Sequence, residues 1–60
     1  MLDTLPQDPF ILVSYVNTLL RDRYRSLDEL CAELDINCAE LEAKLRGIGM
    51  EYSALFNRFY

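Results

Sequence analysis

The sequence predicts a mainly α fold: a compact three-helix domain with a helix-turn-helix-like pair and a short C-terminal aromatic tail. Three observations carry this. Apolar residues recur at helical spacing in three separate stretches of the chain. A residue type that caps helices, Asp8, Ser26 or Asn37, precedes each stretch. The 60 residues contain no linker, repeat or low-complexity segment, so they read as one domain over 1–60.

The first helix is expected over 9–25. Asp8 is its N-cap and Pro9 sits at the first helical position, where a missing N–H costs nothing. Leu12, Val13, Tyr15, Val16, Leu19, Leu20 and Tyr24 share one broad face, and Ser14, Asn17, Thr18, Arg21, Asp22 and Arg25 the other. Arg21, Arg23 and Arg25 fall towards the end, where cations complement the helix dipole.

The second helix is expected over 27–34, with Ser26 and Glu29 arranged as a capping box. Leu27, Leu30, Cys31 and Leu34 form its single apolar stripe. Asp35-Ile36 makes a short turn. Asn37 and Glu40 repeat the capping pattern and open a third helix over 38–46, with Leu41 and Leu45 inward. Gly47 follows, where a left-handed residue commonly ends a helix. The tail, 50–60, admits two readings: a hairpin pairing Met50–Ser53 with Asn57–Tyr60, or a last helical turn capped by Ser53. Its aromatic content favours the hairpin.

Composition excludes several classes of function. With no histidine and only two cysteines, Cys31 and Cys38, a single-chain structural zinc site lacks ligands. A disulfide framework is not expected, because small secreted scaffolds are far denser in cysteine. Cys31 reads as a small core residue. Cys38, at a helix N-terminus, is in the usual setting for a reactive thiol, but no base stands by to activate it. Glu40 and Glu42 diverge on their helix and do not suit acid–base work. No residue is assigned a catalytic, cofactor-binding or metal-binding role, and no enzyme is expected. A net charge of −4 argues against non-specific attraction to nucleic acid or anionic membrane. Asp3 and Asp8 occupy the stretch where a secretory leader would be basic, and the run from Phe10 to Leu20 is too short and too polar to span a bilayer. A cytoplasmic address is the expectation.

The pair from Leu27 to Arg46 resembles a repressor-type helix-turn-helix. Cys31 stands where that pattern has a small alanine, Asp35 where it has the turn glycine, and Leu41 at the buried position of the recognition helix. Aspartate visits the left-handed region better than most residues, so the turn is tolerable. Lys44 departs from the pattern, standing where an apolar residue is usual. The outward side chains of the third helix would be Cys38, Ala39, Glu42, Ala43 and Arg46, of which only arginine is a groove reader. From Asp28 to Glu42 there are six acidic residues and no basic one. Such a face repels phosphates, so nucleic acid is not the expected partner and remains the alternative.

Two surfaces deserve testing. Helix one carries more apolar face than two short helices and a tail would comfortably cover, and a domain of this size buries only about 60% of its unfolded surface. Leu12, Tyr15, Val16 and Leu19, with Tyr52, Phe56, Phe59 and Tyr60 of the tail, therefore form a candidate interaction surface, covered either by a second copy of the chain or another protein, or by the tail folding back. Ser14, Asn17, Arg21 and Arg25 form a candidate polar surface, which a plain solvent face would equally explain. Arginines ending helix one and acids on the other two make the chain bipolar, which favours specific pairing.

The chain resembles a family of short bacterial proteins, domain-of-unknown-function family 4250. The likeness lies in Leu5-Pro6-x-Asp8-Pro9, Ser14-x-Val16-Asn17, Leu20-Arg21-Asp22-x-Tyr24 and Ser26-Leu27-Asp28-x-Leu30-Cys31. It continues in Lys44-Leu45-x-x-Ile48-Gly49, Tyr52, Asn57 and Phe59. Arg58 stands where the family has glutamine, and Met50 where an aromatic is expected. The resemblance implies a bacterial, cytoplasmic protein and no activity. The expected function is a non-catalytic interaction module, most simply a homodimer, without cofactor or membrane attachment.

Overall fold

The computed structural model describes residues 5–60; Met1–Thr4, and with them Asp3, lie outside the described residues. Three helices, α1 (Pro9–Asp22), α2 (Leu27–Leu34) and α3 (Cys38–Arg46), precede a two-stranded antiparallel hairpin, β1 (Tyr52–Ser53) and β2 (Arg58–Phe59). The fold is mainly α, and the tail is the hairpin. Tyr52 pairs with Phe59 and Ser53 with Arg58, and Glu51 and Tyr60 exchange both backbone hydrogen bonds just beyond. The helical reading of Ser53 survives inside the turn: its Oγ accepts from the Phe56 amide at 3.2 Å.

The caps form as side-chain chemistry dictates. Asp8 accepts from the Phe10 amide, Ser26 from that of Glu29, and Asn37 from that of Glu40. One half of the expected box on α2 is displaced: the Glu29 carboxylate takes the amide of Arg25, not of Ser26, at 2.7 Å. Asp35 adopts the left-handed conformation that the turn requires, at φ 57° and ψ 48°. Gly47 does not: its φ of −60° is right-handed, and Gly49, at φ 81°, makes the reversal into the hairpin.

Helix α1 ends three residues before the expected position. The Leu19 carbonyl accepts from both Arg23 and Tyr24, tightening the end of the helix. The Leu20 carbonyl accepts from the Asn57 side chain of the hairpin, so the backbone ladder stops there. Of the three arginines, only Arg21 remains in the last turn; Arg23 is the cap and Arg25 lies beyond it.

Leu12, Val13, Val16, Leu20, Leu27, Leu30, Cys31, Leu41, Leu45 and Phe59 make one core, drawn from all three helices and β2. No buried side-chain nitrogen or oxygen among the described residues lacks a hydrogen-bond partner, as a core this small requires, since each orphan costs about 1–3 kcal/mol.

Cys31 and Cys38 are joined in a disulfide, which corrects the expectation of two independent cysteines. The left-handed turn at Asp35 brings the end of α2 against the start of α3, with a Cα–Cα separation of 5.8 Å, inside the window that a disulfide spans. Cys38 is half-buried and turned to its partner, so it does not belong to an outward reading face of α3.

Candidate functional site

The hairpin meets α1 through a polar lattice. Asn17 lies mid-helix, and its side-chain amide pairs with the Phe59 backbone in both directions: Nδ2 donates to the carbonyl at 3.0 Å, and Oδ1 accepts from the amide at 2.8 Å. It thus supplies to the outer edge of β2 the hydrogen bonds that a third strand would give, which an isolated two-stranded hairpin needs. Asn57 holds a left-handed φ of 53° in the hairpin turn and donates through Nδ2 to the carbonyls of Leu20 and Tyr24, each at 3.0 Å. Its Oδ1 accepts from the Tyr52 hydroxyl at 2.6 Å. That hydroxyl in turn accepts from the Leu27 amide, one of the orphan donors at the start of α2. The hairpin therefore caps the C-terminal end of α1 and the N-terminal end of α2 together. Beneath the lattice, the Tyr52 and Phe59 rings pack with centroids 5.5 Å apart.

A groove of about 590 Å³ lies over this junction. Ser14, Thr18 and Arg21 of α1 form one wall, and Phe56, Asn57 and Arg58 of the hairpin the other. Thr18 is pinned to its helix, its hydroxyl donating to the Ser14 carbonyl at 2.9 Å. Arg21 lies side-on to Asp22, with Nε–Oδ1 at 2.9 Å and Nη2–Oδ2 at 3.2 Å. The hydrogen bond from Arg21 holds the Asp22 carboxyl below its usual range, and the same pair raises the Arg21 guanidinium. Both side chains are solvent-exposed, so the pair sets the direction of Arg21 far more than it stabilises the fold.

Three members of the candidate polar surface, Ser14, Asn17 and Arg21, line this groove; Arg25 does not. Asn17 is not a free contact, because β2 holds its oxygen and one of its two N–H donors. The candidate interaction surface divides more sharply. Leu12, Val16 and Phe59 are 2%, 1% and 0% exposed, so these three are core and offer nothing to a partner. The reason is the tail itself, which folds back and drives Phe59 into the face of α1. Leu19 and Tyr52 are half-buried against the same core, whereas Tyr15, Phe56 and Tyr60 are exposed. Three further exposed apolar side chains, Phe10, Ile11 and Leu55, join them. Helical periodicity hides Phe10 and Ile11, since both fall at the start of α1 before its inward stripe is established. Asn57 gives little local signal either, because the carbonyls it takes, Leu20 and Tyr24, lie more than thirty residues away.

The family model of a domain of unknown function, DUF4250, matches residues 6–59, nearly the whole chain. The chain belongs to that family. No curated protein and no solved structure matches it. Several of the positions that carry the DUF4250 resemblance, Asn17, Tyr52, Asn57 and Phe59, are the ones that build the lattice between α1 and the hairpin. In this member of DUF4250 these four motif residues thus hold the hairpin on α1. No helix of the described residues is long and apolar enough to cross a membrane.

Proposed function

We propose that this DUF4250 protein is a non-catalytic protein-interaction module that associates with a second copy of itself. The observation that carries the reading is the set of exposed apolar side chains: Phe10, Ile11 and Tyr15 on α1, with Leu55, Phe56 and Tyr60 on the hairpin. They share the two elements that the lattice locks together. So large an apolar allotment on the outside of a small monomer supports a reading in which another molecule covers it. The partition of charge supports a second copy as the occupant. Arg21, Arg23, Arg25 and Arg58 gather at the end of α1 and the hairpin, while Asp28, Glu29, Glu33 and Asp35 line α2 and its turn. Two copies can set opposite charges against each other around an apolar centre.

The cytoplasmic address expected from the sequence belongs to the same reading. In that compartment the Cys31–Cys38 pair would be kept reduced, and the module would rely on its caps and lattice. Nucleic acid is the weaker reading: Cys38 is turned inward, and of the exposed residues of α3, Ala39, Glu40, Ala43, Lys44 and Arg46, only the last two are basic.

Sedimentation equilibrium from micromolar to about 1 mM protein tests the proposal, a range that reaches association free energies as weak as about −4 kcal/mol. A mass rising towards the dimer is expected, and Phe10→Ser with Tyr60→Ser should return it to the monomer. A monomer throughout that range would overturn the reading.

A further inference from the structure

We propose that the groove between α1 and the hairpin binds an organic oxyanion, a small molecule with a carboxylate or phosphate group on an apolar body. The chain has ten acidic and six basic residues, yet among the described residues the groove is lined by two arginines and no carboxylate. Arg21 comes from the last turn of α1 and Arg58 from β2, so the two arginines line the cleft from opposite walls. Lattice contacts keep those walls in register, through the bonds of Asn17 and Asn57. A guanidinium has five N–H donors and no acceptor, and the Asp22 contact uses two of those on Arg21. The remainder, with those of Arg58, whose side chain makes no hydrogen bond among the described residues, suit the bidentate geometry of a carboxylate or phosphate.

The end of a helix is normally a poor place for an anion, because its orphan carbonyls are negative. Here Asn57 takes the Leu20 and Tyr24 carbonyls, and Arg23 and Tyr24 take that of Leu19. Part of the negative end of α1, the Leu19 and Leu20 carbonyls, is therefore already taken up at the groove. Phe56 supplies the apolar element: it lines the groove, and its ring is braced edge-on by Tyr60 at 6.2 Å. A volume of about 590 Å³ is in the range of small-ligand sites. This inference stands apart from self-association, because a dilute monomer can be titrated with ligand.

Heteronuclear NMR on the full chain, at a concentration where it is monomeric, provides the test. The probes are phenyl phosphate and benzoate, with inorganic phosphate as the bare oxyanion and benzyl alcohol as the neutral ring. Phenyl phosphate or benzoate should saturably shift the amides of Thr18, Asn57 and Arg58 and the Arg21 Nε–H. The tighter of the two identifies the oxyanion, inorganic phosphate should bind the same residues more weakly, and the alcohol should not bind. Arg58→Gln, an exposed substitution that leaves the strand pairing in place, should weaken binding by about tenfold or more, as expected for losing a charged hydrogen bond. Arg25→Gln should leave it unchanged. Phe56→Ser should bring phenyl phosphate down to the level of inorganic phosphate; an unchanged affinity would overturn the apolar half of the proposal. Absence of saturation by about 10 mM, shifts spread evenly over Arg23, Arg25 and Arg46, or an Arg58→Gln protein that binds like wild type would overturn the whole.

Discussion

The α2–α3 pair and the α1–hairpin junction hold the same core from two sides, by opposite means. In the pair, the polar supports are local apart from the Leu27 amide, which the Tyr52 hydroxyl takes: Ser26 to Glu29, Asn37 to Glu40, a left-handed Asp35, and a disulfide between residues seven apart. At the junction the supports are remote, with Asn17 reaching β2 across 42 residues and Asn57 reaching α1 across 37. Local supports form with their helices. Remote ones form only when the whole chain has collapsed, so the junction should be the cooperative half of the molecule and the pair its more autonomous half.

Phe59→Ala breaks the junction hardest. Removing a fully buried phenyl ring typically costs about 3–5 kcal/mol, close to the entire stability of a small domain. Urea denaturation should show a protein unfolded or nearly so in water, with residual helix confined to α2 and α3.

Asn57→Ala comes next. It strands the Leu20 and Tyr24 carbonyls and the Tyr52 hydroxyl while leaving a left-handed residue, with an expected loss of about 2–4 kcal/mol. Asn57→Gly loses the same hydrogen bonds and relieves the backbone, so its loss should be smaller by about 1 kcal/mol. Equal losses in the two variants would show that strain at φ 53° has no part in the effect.

Reducing the Cys31–Cys38 bond, or replacing both cysteines by serine, probes the other side. The closed loop is short, so loop-closure entropy gives about 2–3 kcal/mol and no more. Hydrogen exchange should speed up in α2 and α3 first, whereas Asn57→Ala should speed it up everywhere.

Two smaller effects sharpen the contrast. Asp35→Gly should stabilise the pair by about 0.5–1 kcal/mol, since glycine carries no left-handed penalty. Asp22 is fully exposed, and its carboxyl is held low by Arg21. That contribution is present above the ordinary aspartate pKa and lost as pH falls through the lowered one. Asp22→Asn should therefore be inseparable from wild type in a urea melt near neutral pH.

The same division explains what could be read from the sequence. The α2–α3 pair was legible because capping residues, a turn aspartate and a 3.6-residue stripe all act within a few positions of one another. The broad face of α1 was legible as apolar, but not which molecule covers it: Leu12, Val16 and Phe59 become core only because the tail returns to α1. Asn17 looks like solvent polarity on a helical wheel, and nothing near it announces that β2 will take its amide. Counting cysteines against secreted scaffolds missed the disulfide, because a single staple across a tight turn depends on where two helix ends meet. The groove was half legible. Ser14 and Arg21 stood out as polar neighbours, but Arg58 lies 37 residues beyond Arg21 and joins it only through the fold.

Burial of Phe59 also bears on synthesis. A ribosome makes α1, α2 and α3 well before position 59 exists, and until then the core lacks its largest fully buried side chain. Copies that stop short of that position leave a vacancy between the helices, uncapped ends on α1 and α2, and apolar surface open to proteases. The core between the helices thus closes only when β2 has been made and has packed against α1.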